Sequence, residues 1–174
     1  AANYDREQER IFRGPIWSYV GLEAEIPRPG DFKTTFFGET PIIVARALDG
    51  SINAMVNQCA HRGTRVCREP HGNKTSFTCI YHQWCYDLKG DLKAGPFREG
   101  VWTGGRLASG LPKDFVLAEH GMRRLRVCAY NGVIFASFDA AAPALPEYLG
   151  PKMKYYFERV FDGRALRFLG KKLH

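Results

Sequence analysis

Apolar residues along this chain gather in short, strand-length runs broken by Gly, Asn and Asp. WSYVGLEAEI, FKTTFF, PIIVARAL and SINAMVNQC follow one another as strand-length segments. Runs of this length with such punctuation read as strands. Asp49-Gly50 between the last two segments is a tight hairpin signal, because the second position of such a turn needs a positive φ. SFTCIY and WCYDL come next, and LKGDL turns back at Lys89-Gly90. MRRLRVCAY and GVIFASF are joined by Asn131-Gly132, a second hairpin of the favoured type. Only the ends break the pattern. NYDREQERIF reads as a short N-terminal helix with Asn3 as its cap. After Asp139, AAAPALPEYLGP reads as a linker, KMKYYFERVF as a helix and ALRFLG as the start of another strand. The expectation is a mainly β domain of small antiparallel sheets over residues 1–140 with a helix at its front. Residues 141–174 then form a linker, a helix and a first strand that lead into a further domain.

At 174 residues and 45% hydrophobic, the chain is long enough to bury a core and too apolar for disorder. Its longest apolar runs are strand-sized, which excludes a membrane span. The N-terminus is too charged and polar for a signal peptide, so a reducing, cytoplasmic setting is expected. The net charge of +7 is spread thinly, and no basic stripe interleaved with aromatics is present. That argues against nucleic acid and for an acidic protein partner.

The chemistry concentrates in NQCAHRGTRVCREPHGNKTSFTCIYHQW, residues 57–84. Cys59 and His61 stand one residue apart, then seventeen residues intervene, then Cys79 and His82 stand two apart. Five cysteines (59, 67, 79, 85 and 128) make an odd count, which suits metal ligation in a reducing compartment better than cystines. A zinc finger places its cysteines in one knuckle and its histidines on a helix; here they are interleaved. A structural zinc on two Cys and two His remains chemically open. So does a two-iron, two-sulfide cluster, with both cysteines on one iron and both histidines on the other. Interleaving suits the second, since two facing loops would each give one ligand to each iron.

CAHRG, CIYHQW, the preceding Asn57 and the intervening VCRE resemble the Rieske domain in the large (α) subunit of aromatic-ring-hydroxylating oxygenases. The likeness runs through the KGDL turn to RRLRVCAYNGVIFASFD and EYLGP. It implies a [2Fe-2S] cluster on Cys59, His61, Cys79 and His82, with Trp84 closing the second loop. It also implies a ferredoxin or flavin reductase as electron donor, assembly of α subunits with or without β subunits, and a mononuclear Fe(II) in a catalytic domain that activates O2. No residue here is a candidate for that catalytic iron, because after His82 only His120 and His174 remain. A stand-alone Rieske ferredoxin is the other functional class, and the helix, linker and strand at the ends speak against it. Many members of the family read CPYHGW where this chain has Ile80 and Gln83; YHQW is closer to those that hydroxylate salicylate or anthranilate. Thr64 and Tyr81 stand where respiratory-chain Rieske proteins carry a disulfide. Their absence points to a midpoint at the low end of the Rieske range, about −150 mV to 0.

Of the remaining residues, Cys67, Cys85 and Cys128 read as packed thiols, and His71 and His120 as turn residues. Arg62 reads either as a docking cation or as solvated surface, and Tyr86 as a donor to a cluster sulfur or as core. Gly104 and Gly105 lack the strand-to-helix context of a phosphate loop.

Overall fold

A computed structural model describes residues 2–108, 110–112 and 114–170. Twelve strands alternate with short turns: β1 (Ser18–Leu22), β2 (Asp31–Phe37), β3 (Thr40–Arg46), β4 (Ile52–Val56), β5 (His71–Asn73) and β6 (Ser76–Thr78). They continue with β7 (Cys85–Asp87), β8 (Leu92–Ala94), β9 (Val101–Thr103), β10 (Arg106–Ala108), β11 (Arg124–Tyr130) and β12 (Val133–Ser137). One seven-stranded sheet runs β1-β12-β11-β4-β3-β2-β5; a three-stranded sheet runs β6-β7-β8, and β9 and β10 form a hairpin. All pairings are antiparallel. The expected fold class is therefore the observed one.

The apolar run of β3 has a direct cause. Ile42 and Val44 enter one core, with Val20, Phe37, Ala54, Leu125 and Ile134. Ile43 and Ala45 enter a second, with Phe32, Met55, Phe77, Tyr86 and Leu92. A strand covered on both faces loses its polar alternation. The first core draws on six strands of the large sheet, which curls around it. Lys33 of β2 accordingly lies against Gly21 of β1, although four strands separate them in the sheet order. The second core lies under the three-stranded sheet and carries the functional loops.

Turn chemistry mostly behaves as the residues require. Asn131 and Gly132 both have positive φ (50° and 82°), the two-residue turn anticipated. Asp49-Gly50 also makes a hairpin, but of three residues: Ala47 and Ser51 close it and Gly50 takes φ 86°. Lys89-Gly90 repeats that form, with Asp87 and Asp91 closing and Gly90 at φ 85°.

Four expectations need correction. The N-terminal helix α1 spans Ala2–Glu7 and runs into a π-turn over Gln8–Phe12, so Asn3 is inside the helix and caps nothing. The segment expected as one strand over 17–26 stops at Leu22. There the Glu25 carboxylate accepts the Leu22 N–H at 2.8 Å and pairs with the Lys33 ammonium, drawing the chain into a short 3-10 turn. The expected linker is partly helical: α2 covers Leu145–Val160, with a kink where Gly150 takes φ 66°. Pro at the first turn starts a helix instead of stopping one, so Pro146 opens the first half and Pro151 the second. Finally, the expected strand over 165–170 is irregular; a strand needs a hydrogen-bonding neighbour, and none among the described residues lies beside it. His174 lies outside the described residues. No helix among them is long and apolar enough to cross a membrane.

Candidate metal centre

Two loops of the same build carry the candidate ligands. In the first, the Cys59 N–H donates to the Thr64 carbonyl at 2.8 Å, and the Gly63 N–H donates back to the Cys59 carbonyl at 2.8 Å. In the second, the Cys79 N–H donates to the Trp84 carbonyl at 2.9 Å, and the Gln83 N–H to the Cys79 carbonyl at 2.8 Å. Each six-residue loop is closed by its own backbone, opens on a cysteine, and needs a left-handed residue at its fifth position (Gly63 φ 68°, Gln83 φ 55°). The histidine falls third in one loop and fourth in the other.

Buried polar contacts fix the loops to the fold. Asn57, 1% exposed, donates Nδ2–H to the Cys67 carbonyl at 2.7 Å, and its Oδ1 accepts the N–H groups of Val66 and Cys67 at 3.1 and 2.8 Å. This one side chain brackets both ends of the first loop. Tyr86 on β7 is fully buried. Its hydroxyl oxygen accepts the Ala60 N–H at 3.0 Å and lies 3.2 Å from Cys59 Sγ. A thiolate has no proton to give, so against a ligating Cys59 the Tyr86 O–H would be the donor. Burial, and then the Cys59 contact, push the phenol well above its usual pKa, so it keeps that proton. The core reading of Tyr86 is borne out; the donor reading rests on Cys59 being a thiolate.

The four candidate ligands lie on the two loops with a clear polarity. Cys59 and Cys79 are 4% and 1% exposed, inside the second core. His61 is exposed and His82 half-buried. Their rings meet edge to face at 4.6 Å between centroids. Desolvation, then the neighbouring His82 and Arg62, lower the His61 pKa, which favours the neutral imidazole that a metal requires. Among the described residues, no three His, Cys, Asp or Glu side chains converge as one metal ion would need. Two irons ask only for pairs: soft thiolates on one, imidazoles on the other. The donor set, divided into two buried thiols and two outward imidazoles, fits a two-iron cluster.

Around this centre, Cys67 is a buried thiol as expected, whereas Cys85 and Cys128 are only half-buried. All five thiols are free. His71 is on β5 and faces water. Arg62 is exposed beside His61. Gly104 and Gly105 make the turn of the β9–β10 hairpin. Glu69 and Asp87, the carboxylates nearest the loops in sequence, pair with Lys74 and Lys93 at 2.6 and 2.9 Å and not with the imidazoles. An open cavity of about 320 Å³ lies over the histidines, lined by Tyr81, Gln83, Trp84, Phe97 and Leu111.

Two features escape the sequence pattern. Trp84 stacks on His61 at 4.9 Å and 12°, and Phe115 and His120 meet the same indole edge to face. No local motif marks residues thirty positions away as neighbours of a ligand.

Known proteins show the same architecture. The chain is 56% identical over 167 residues to the large oxygenase component of salicylate 5-hydroxylase from Ralstonia sp, covering 96% of this chain and 40% of that protein. It is 51% identical over 169 residues to the anthranilate 1,2-dioxygenase large subunit of Burkholderia cepacia, covering 97% and 39%. It thus spans about two fifths of the length of these relatives. The crystal structure of naphthalene 1,2-dioxygenase from Rhodococcus sp. bound to indole superposes with a TM-score of 0.80 at 34% identity, over 91% of this chain and 34% of that one. Residues 16–108 match the Rieske [2Fe-2S] domain, and it is to that family that this chain belongs.

Proposed function

We propose that this chain is the electron-relay domain of an aromatic-ring-hydroxylating oxygenase large subunit. Cys59 and Cys79 would hold one iron of the cluster, and His61 and His82 the other. Bound there, the cluster supplies a one-electron redox centre. The single observation that carries this reading is the polarity of the site: thiols sealed in the core, imidazoles at the surface. Electrons can then pass at the histidine side while the sulfur side stays shielded from water and oxidants. Tyr86 holds its proton toward Cys59 Sγ and favours the extra negative charge of reduction. The free ring nitrogens of His61 and His82 would meet a carboxylate, the usual outer partner of a ligating imidazole. Glu69 and Asp87 are engaged by lysines, so that carboxylate is assigned to a catalytic domain, on the same or a neighbouring subunit, that also holds a mononuclear Fe(II). The electron donor is a ferredoxin or flavin reductase, met in the cytoplasm, and the substrate an aromatic acid of the salicylate or anthranilate class. Likeness to two such large subunits over almost the whole chain supports this, α2 included.

The test supplies this 174-residue chain with a ferredoxin, its reductase, NADH, O2 and salicylate. The expected result is two irons and two sulfides per chain, a reducible visible chromophore, and no hydroxylated product. One zinc and a colourless protein would refute the ligand assignment. Steady product formation by this chain alone would refute the relay assignment.

A further inference from the structure

The two candidate histidine ligands are supported very differently. His82 packs against Tyr81 at 3.8 Å, a neighbour in its own loop that is 58% exposed. His61 lies flat against Trp84, and Trp84 is 5% exposed and anchored in the core. Phe115 at 5.8 Å and 75°, and His120 at 6.0 Å and 77°, meet the same indole edge to face. Phe115 and His120 stack on each other at 4.0 Å. The His120 ring is tied in turn, with Nδ1 3.0 Å from the Val116 carbonyl. The 3-10 turn Leu117–His120 is moored just beyond, where the Met122 N–H donates to the Gly90 carbonyl at 2.7 Å. The indole is also closely approached at its Nε1 edge: a methyl at Gly95 would sit 3.2 Å from Trp84 Nε1.

We propose that Phe115 and His120 are positioning residues that act through Trp84 to fix the plane of the His61 ring, whereas the His82 ring rests on its loop neighbour Tyr81 and on the edge of His61. The inference rests on the ligand assignment above. The torsion between an imidazole and its Cβ is intrinsically broad, so the ring plane is set by what packs against it. A ligating imidazole's orientation tunes its metal, and the groups that hold it count nearly as much as the ligand. A ring clamped by the core also moves less when the cluster changes charge. In His120 the useful property is a flat aromatic face, not a proton.

The experiment uses the whole chain with its cluster loaded, and reads the two histidine nitrogen couplings of the reduced cluster by pulsed electron paramagnetic resonance, with the midpoint potential alongside. His120→Ala is expected to keep two irons and two sulfides while one nitrogen coupling broadens and shifts, the other stays, and the midpoint moves. His120→Phe, which restores the face without the ring nitrogens, is expected to return both readouts to wild type. Should His120→Ala fail to load, Phe115→Leu and Gly95→Ala disturb the same stack from two sides and are expected to alter the same single coupling. Unchanged couplings in these variants, equal broadening of both, or no rescue by Phe would overturn the proposal. A wild-type chain with no pair of nitrogen couplings would instead refute the ligand assignment itself.

Discussion

Gly63 and Gln83 occupy the same place in two loops of the same build: each donates its N–H to the carbonyl of the cysteine four residues before it, and each has a left-handed φ. Glycine adopts that conformation freely, but a side chain pays about 1–2 kcal/mol. The entropy glycine loses on folding offsets part of this. Gln83→Gly is therefore expected to stabilise the chain by about 0.5 kcal/mol, and Gly63→Gln to destabilise it by about 1 kcal/mol. Gln83→Val, β-branched at positive φ, should cost more than either. Urea midpoints of the three variants check the order.

Tyr86→Phe keeps the buried ring and removes the hydroxyl that lies 3.2 Å from Cys59 Sγ. Donation to a thiolate is strongest when the cluster carries its extra electron, so its loss should lower the midpoint. One hydrogen bond of about 1 kcal/mol corresponds to roughly 40 mV for one electron. Because the phenol's pKa is raised, the difference should hold across neutral pH. A redox titration of both proteins measures it, and a rise in midpoint would contradict the donor role.

Asn57→Ala strips partners from two backbone N–H groups and one carbonyl, all buried. At about 1–3 kcal/mol for a stranded buried group, the first loop should open. The expected outcome is a protein that loses iron to a chelator much faster than wild type, read as decay of the visible absorption. Asn57→Asp should fare little better, since a carboxylate oxygen would then face the Cys67 carbonyl.

Asp87 ends the strand that follows the second loop. Its Oδ1 accepts the Lys89 and Asp91 N–H groups at 2.9 and 3.0 Å, and Oδ2 meets Lys93 Nζ at 2.9 Å. Desolvation alone would raise its pKa, but the Lys93 and backbone hydrogen bonds outweigh it and hold the carboxyl below its ordinary value. A lowered folded pKa contributes stability that is complete above the unfolded value of about 3.9 and is lost as pH falls through the folded one. Asp87→Asn should thus be less stable than wild type at pH 6, with the gap narrowing toward pH 3. Urea midpoints of both proteins across that range would show it; a gap that widens on acidification would count against this account.

Much of this protein was legible in its residues, because short-range rules governed them. Short apolar runs between turn residues marked the strands, Asn131-Gly132 its turn, and two Cys/His pairs the candidate centre; each depends only on neighbours in sequence. Other features were decided in three dimensions. The first strand ended at Leu22 because Glu25 is held by Lys33, eight residues on and across the curled sheet. Residues 165–170 have strand composition but no neighbour to pair with among those described. The three-residue strands β5 and β8 owe their state to β2 and β7 beside them. The same holds at the centre. Spacing alone nominated Cys59, His61, Cys79 and His82, but the burial of thiols and exposure of imidazoles follow from where the loops meet the second core. The stack behind His61 joins Trp84 to residues thirty and more positions away, and only packing can bring such a pair together.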